Sequence, residues 1–197
     1  MIALPLPARL LLALAAGLLL WLSFPDHDIA VAAIGGVVLL GVAMWDVRAR
    51  LGALLGFLAG FACFVPTLSW SGIYVGAFPW FALATFQSLY VALMGAVLVW
   101  LQRPLIRSGR ALPAALLIPV LWVLQELVRG TVPYGGFPWA RIAFSQADSP
   151  LARWAAIGGA PLITFVVALV AVPLVLLVVT RRLPVVGLAL ALVAGLG

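Results

Sequence analysis

Covalent catalysis ordinarily needs a nucleophile, a base that activates it and a third group that orients the base. This chain has one cysteine, one histidine, one glutamate and no lysine. Cys63 lies in the apolar run "GFACFVPTL", where a thiol is poorly reactive and serves as packing. His27 stands between Asp26 and Asp28. One imidazole and two adjacent carboxylates offer few convergent ligands, so this triplet reads as a solvated turn and no metal site is expected. There is no zinc-type spacing, no phosphate-cradling Gly-Lys motif and no dinucleotide fingerprint, hence no expected cofactor. A complete catalytic site within these residues is not expected.

The remaining polar chemistry collects in "ELVRGTVPYGGFPWARIAFSQADSP", residues 126–150. Glu126 and Arg129, three apart, share a helix face and can neutralise two charges that are each expensive beside lipid. Two readings stand for the pair. One is an ion pair tying the helix end to the loop; the other is a polar wall or phosphate contact for a lipid headgroup, to which Arg141 and Arg153 would add, because guanidinium matches phosphate geometry. Gly135 and Gly136 permit a tight turn, Pro138 stiffens the chain, and Trp139 suits the headgroup level. Residues 140–150 then read as a short, partly buried segment: Ile142 and Phe144 apolar, Arg141, Ser145 and Gln146 polar. Asp148 or Ser149 caps the next helix, with Pro150 in its first turn. Such a segment could form a re-entrant wall of a lipid cavity.

The elements that must position these residues are membrane spans. The chain is 66% hydrophobic and 8% charged, with a mean hydropathy of +1.29, far outside the range of soluble domains. Its net charge of +6 comes entirely from arginines lying between apolar runs, the pattern of topology signals rather than of a nucleic-acid surface. Seven candidate spans run over 10–24, 29–45, 51–69, 80–101, 111–128, 154–179 and 183–197, giving an all-α polytopic bundle whose last span is cut short. The first two are short, and three accommodations are open to them: little tilt, local thinning of the bilayer, or support from a snorkelling Arg9 and an interfacial Trp45. "WLSFPDHD" lacks a small-x-small cleavage site, so the first run is expected to remain as a span.

Arg9, Arg48, Arg50, Arg103, Arg107, Arg110, Arg181 and Arg182 fall in one set of alternate connections, and Arg129, Arg141 and Arg153 in the other. The positive-inside rule puts the first set, and the amino terminus, in the cytoplasm and the 126–150 loop outside. "GAFPW" (76–80) and "GGFPW" (135–139) both mark the outer boundary, with Phe and Trp as interfacial anchors and Pro at a helix end. The small-residue runs "GALLGFLAG" (52–60) and "AAIGGAP" (155–161) predict close helix approach. Pro119, Pro161 and Pro173 predict kinks.

"LWVLQELVRG" followed by "GGFPWARIAFSQADSPLARWAAIGGAPLITFVVAL" resembles the membrane region of bacterial apolipoprotein N-acyltransferases, with support from "LSFP" (22–25) and "GFACFVPTLSWSGIYV" (60–75). The resemblance implies transfer of a fatty acyl group from a membrane phospholipid to the α-amino group of the lipidated amino-terminal cysteine of an apolipoprotein. It implies ping-pong chemistry through a thioester on a Cys-Glu-Lys triad, in an extracytoplasmic nitrilase-like domain inserted after the seventh span. No lysine is present, the sole Glu belongs to the fifth span, and the sequence stops where that domain would begin, so no catalytic residue is assigned. The chain is expected to be the transmembrane domain over 1–197, truncated or encoded apart from a catalytic domain, in the bacterial cytoplasmic membrane and inactive alone.

What the resemblance carries over is a lipid-facing floor beneath the active site: Glu126, Arg129, Gly130, Gly136, Phe137, Pro138, Trp139, Ser145 and Gln146, with Trp70 and Tyr74 lining the same cavity. A second reading is a non-catalytic membrane anchor for a separate enzyme, such as a polyprenyl-phosphate glycosyltransferase. A transporter ranks last, because no acidic residue lies mid-span.

Overall fold

In lipid every backbone N–H and C=O must be satisfied within its own segment, so long apolar runs become helices. The structure, a computed structural model describing residues 4–181 and only the backbone of Tyr74 and Val75, is all α-helical, with no strand among the described residues. The helices are α1 (Leu6–Leu22), α2 (Ala30–Ala43), α3 (Ala49–Thr67), the single turn α4 (Gly72–Val75), α5 (Ala77–Arg107), α6 (Ala111–Arg129) and α7 (Ala155–Thr180). Three short 3-10 segments, Ser69–Ser71, Ile142–Gln146 and Pro150–Trp154, lie in the longer connections.

Six of the seven expected runs are therefore helices. The seventh, 183–197, lies outside the described residues. Four segments are long and apolar enough to cross a membrane: Ala49–Thr67, Ala77–Arg107, Ala111–Arg129 and Pro150–Thr180. At 1.5 Å per residue, the 17 residues of α1 and 14 of α2 reach only about 26 and 21 Å against a ~30 Å hydrocarbon core.

These six helices close into a ring, each touching the next in the order α2, α1, α3, α5, α6, α7 and back to α2. The most extensive seam joins α3 to α5. A methyl group added at Gly56 would stand 2.3 Å from the Val91 carbonyl oxygen, and one at Gly52 would stand 2.6 Å from that of Gly95. The glycines of 52–60 thus let two backbones touch, as small residues do in membrane interfaces. The second small-residue run behaves differently. Gly158 and Gly159 leave helical geometry, Gly159 at φ +62°, so "AAIGGAP" is a break in α7 rather than a packing stripe. Pro66, Pro104, Pro119, Pro161 and Pro173 all lie inside helices.

Side chains fasten both ends of the ring. At one end Arg9 donates to the carbonyls of Ala43 (2.7 Å) and Trp45 (3.0 Å), Gln102 donates to Ala114 O (2.8 Å), and Arg103 lies 3.9 Å from Asp46. Of the accommodations open to the short helices, a snorkelling Arg9 with an interfacial Trp45 is not the one found. Arg9 turns inward, because the carbonyls ending α2 need donors, and Trp45 is buried beside it. At the other end the Tyr90 hydroxyl donates to Val132 O and Gln146 Nε2 to Ala30 O.

Candidate functional site

The last turn of α6 carries two buried ionisable side chains, Arg129 at 1% exposure and Glu126 at 4%. They do not grip each other. Arg129 Nη1 donates to the carbonyls of Phe137 (3.2 Å) and Trp139, and Nη2 to that of Ala140 (3.1 Å). Glu126 Oε1 accepts from the Ile142 N–H at 2.8 Å, and Oε2 from the Thr164 hydroxyl at 2.8 Å. Thr164 Oγ1 in turn accepts from the Ala143 N–H at 3.2 Å.

The direct ion pair is thus replaced by a division of labour. The cation takes loop carbonyls, and the anion, extended by Thr164, takes the free N–H groups that open the Ile142–Gln146 turn, the role of an N-cap supplied from another helix. Charge-assisted bonds of this kind are short and strong. The guanidinium also stands 5.2 Å from the centre of the Phe64 ring, an additional favourable cation–π contact. The tie between helix end and loop is therefore made through the backbone of the loop.

The loop's own geometry permits this. Gly136 at φ +71° would place a Cβ 2.2 Å from Thr131 N, so only glycine lets the chain fold back there. The Gly136 N–H bonds Pro133 O (2.8 Å) and the Phe137 N–H bonds Arg129 O (2.7 Å). Ser149 caps the next segment, its hydroxyl accepting from Leu151 N at 3.2 Å with Pro150 following.

Held in this way, Trp139 meets Trp70 edge to face, ring centres 6.0 Å apart. Both line a cavity of about 300 Å³, whose lining also includes Trp21, Phe24, Asp26, Pro66 and Phe144. Three separate connections thus meet at one place.

The expected site residues divide into three groups. Trp70 and Trp139 line the cavity. Glu126, Arg129 and Gly136 hold the loop from beneath, with Phe137 half-buried and Pro138 exposed on it. Ser145 and Gln146 are buried but point elsewhere: the Ser145 hydroxyl bonds Ile142 O (2.8 Å), and Gln146 reaches α2. They are fasteners of the turn rather than cavity wall. Tyr74 belongs to α4, and its side chain lies outside the described residues.

Sequence reading missed Trp21, Phe24 and Thr164. Phe24 lies within "LSFP" and Trp21 immediately precedes it, so that motif was the available signal; Thr164 sits in an apolar run with nothing to mark it. Cys63 is buried and faces a void of only about 20 Å³. His27 is exposed, its ring 4.5 Å from that of Trp21, and no metal-binding cluster occurs among the described residues.

Fold and site define a polytopic α-helical membrane protein in which a charged helix end templates an ordered loop lining an aromatic cavity. Residues 16–173 match the family model for the apolipoprotein N-acyltransferase N-terminal domain, and the chain belongs to that family. It is 41% identical over 173 residues to a Mycolicibacterium smegmatis protein named apolipoprotein N-acyltransferase, covering 86% of this chain and 28% of that one. Proteins of the same name from Pseudomonas putida (34% identical; 82% of this chain, 33% of that one) and Vibrio vulnificus (30% identical; 84% and 34%) are also similar. The chain spans about a third of the length of these curated relatives.

Proposed function

We propose that these residues form the membrane part of an apolipoprotein N-acyltransferase, holding a phospholipid acyl donor at the outer end of the bundle while the lipidated amino terminus of an apolipoprotein approaches it. The observation that carries this reading is the cavity lined by the Trp70–Trp139 pair. Most of its lining is aromatic and apolar, and Asp26, Thr67 and Ser69 add polar groups, the mixture that suits a molecule with a greasy body and a polar end. At about 300 Å³ it suits the reacting end of a lipid, with the rest of the chains lying between helices.

In this reading Glu126 and Arg129 are positioning residues. They fix the carbonyls of Phe137, Trp139 and Ala140 and the N–H groups of Ile142 and Ala143, and so set the position of the Trp139 ring at the cavity. In this reading these residues supply the lipid site: Cys63 is buried and both oxygens of Glu126 are engaged, so neither is assigned as nucleophile or base. The arginine-rich end faces the cytoplasm and the loop faces outward, in the bacterial inner membrane.

The test is photolabelling of the protein in bilayers by a phospholipid with a diazirine at the head of its acyl chain, followed by peptide mapping. Adducts are expected on the 21–26, 66–70 and 139–144 segments and are expected to fall severalfold in Trp70→Ala/Trp139→Ala. Adducts spread evenly along the lipid-facing helices would overturn the reading.

A further inference from the structure

At the opposite end of the ring, Arg9, Arg48, Arg50, Arg103, Arg107, Arg110 and Arg181 stand against Asp46, the acidic residue of that end among the described residues. Most of these arginines are scattered over separate helix ends. Arg103 and Arg107 are not: one turn apart on α5, they share a groove with Ala49, Val99, Trp100, Leu101 and Pro104, of about 560 Å³. The Arg103 Nε is buried without a hydrogen-bond partner, and its nearest anion, Asp46, is 3.9 Å away. Above the pair Trp100 is 69% exposed, and Leu93, seven residues earlier on the same face, is 61% exposed.

An apolar lane therefore runs down α5 into a two-arginine pocket. From Leu93 to Arg103 it measures about 15 Å at helical rise, half of a ~30 Å hydrocarbon core and so the depth of one leaflet. A soluble anion would use the arginines and ignore the lane. A zwitterionic lipid would use the lane and bring its own cation to two guanidinium groups.

We propose that this groove is a binding site for one anionic phospholipid, its phosphate between Arg103 and Arg107 and its first acyl chain along Trp100 and Leu93. The site lies at the end of the bundle remote from the Trp70–Trp139 cavity, so it is distinct from the acyl-donor site and does not depend on that assignment. Guanidinium forks match phosphate oxygens, a tryptophan at headgroup level suits the glycerol region, and each arginine near an anionic surface favours the bound lipid. Occupied, the groove would lock the end of α5 against the loop between α2 and α3, to which the Arg103–Asp46 contact already ties it.

The experiment is native mass spectrometry of the purified protein in detergent with equimolar phosphatidylglycerol and phosphatidylethanolamine. One phosphatidylglycerol per protein is expected to be retained, with roughly tenfold preference over phosphatidylethanolamine. Arg103→Gln/Arg107→Gln is expected to abolish the preference. Arg110→Gln/Arg181→Gln, which removes the same charge at the same end but outside the groove, is expected to leave it intact. Trp100→Ala is expected to weaken retention, and glycerol phosphate, which has the headgroup but no chains, is expected not to compete. Unfolding midpoints of all variants establish that they are folded, and Arg103→Lys/Arg107→Lys is expected to restore part of the preference. Equal retention of the two lipids, equal loss in the two double variants, or efficient competition by glycerol phosphate would each overturn the proposal.

Discussion

Arg129 and Glu126 are each surrounded by groups of the opposite polarity, and the way each is satisfied tells what its loss should do. Arg129→Met strips three loop carbonyls of their donors and takes one of two cations, the other being Arg141, from beside the buried Glu126. The cost should be about 3 kcal/mol, because orphaned buried acceptors and a less compensated buried charge both count against the fold. Glu126→Gln is milder. A glutamine oxygen still accepts from Ile142 N, and its amide can donate to Thr164 Oγ1, so about 1–2 kcal/mol is expected. Thermal unfolding in detergent, with limited proteolysis between residues 130 and 150, reads both; Glu126→Gln proving as damaging as Arg129→Met would contradict this division of roles. Gly136→Ala adds a third check. With its Cβ 2.2 Å from Thr131 N, the loop should become protease-sensitive while the helices stay folded.

Among the elements, the α3–α5 seam has little tolerance. Gly56→Leu would drive a branched side chain into the Val91 backbone, and overpacking of this sort costs about 1–3 kcal/mol or separates the helices. Gly35 provides the comparison, because its added methyl would meet only the flexible tip of Leu19 at 3.2 Å. Gly35→Ala is expected to be neutral or to stabilise by up to about 1 kcal/mol, the usual gain from removing a helical glycine. Denaturation midpoints of the two variants should therefore move apart; coincident midpoints would mean that α3 and α5 do not touch as described. The short helices α1 and α2 pose a different problem, since neither spans a full bilayer core by itself. Arg9 addresses it by closing the carboxyl end of α2 from α1, so that the two short helices form one hairpin fastened at its open end.

For the whole molecule the governing quantity is the asymmetry of charge between its two ends. The end holding α5's last turn carries seven described arginines against Asp46, whereas the loop end sets Arg129, Arg141 and Arg153 against Asp26, Asp28, Glu126 and Asp148. The positive-inside rule turns this into an orientation that can be checked. In a Cys63→Ala background, a cysteine at exposed Thr131 should react with an impermeant maleimide in intact cells. One at exposed Ser108 should react only after permeabilisation. The reverse pattern would place the cavity and the acyl acceptor on opposite sides of the membrane, and the proposed function would fail with it.

How much of this was legible beforehand depended on whether a local rule governs the feature. Helix formation in lipid is such a rule, because an apolar run has no alternative way to satisfy its backbone. Six runs, the loop of 126–150, the Ser149 cap and the positive φ of Gly135 and Gly136 all follow from neighbouring residues. The arginine asymmetry and the glycine seam also sit in the order of the residues. Partners across the ring do not. That Arg129 would seek three loop carbonyls instead of Glu126, that Arg9 would turn inward, that Ser145 and Gln146 would fasten rather than line, and that Thr164 would complete the Glu126 network were decided by packing. A buried polar group takes the partner that folding brings within 3 Å, and sequence spacing constrains that choice only within one helix. The meeting of Trp21, Trp70 and Trp139 around one cavity belongs to the same category: three connections far apart in the chain share a site only because the helices close into a ring.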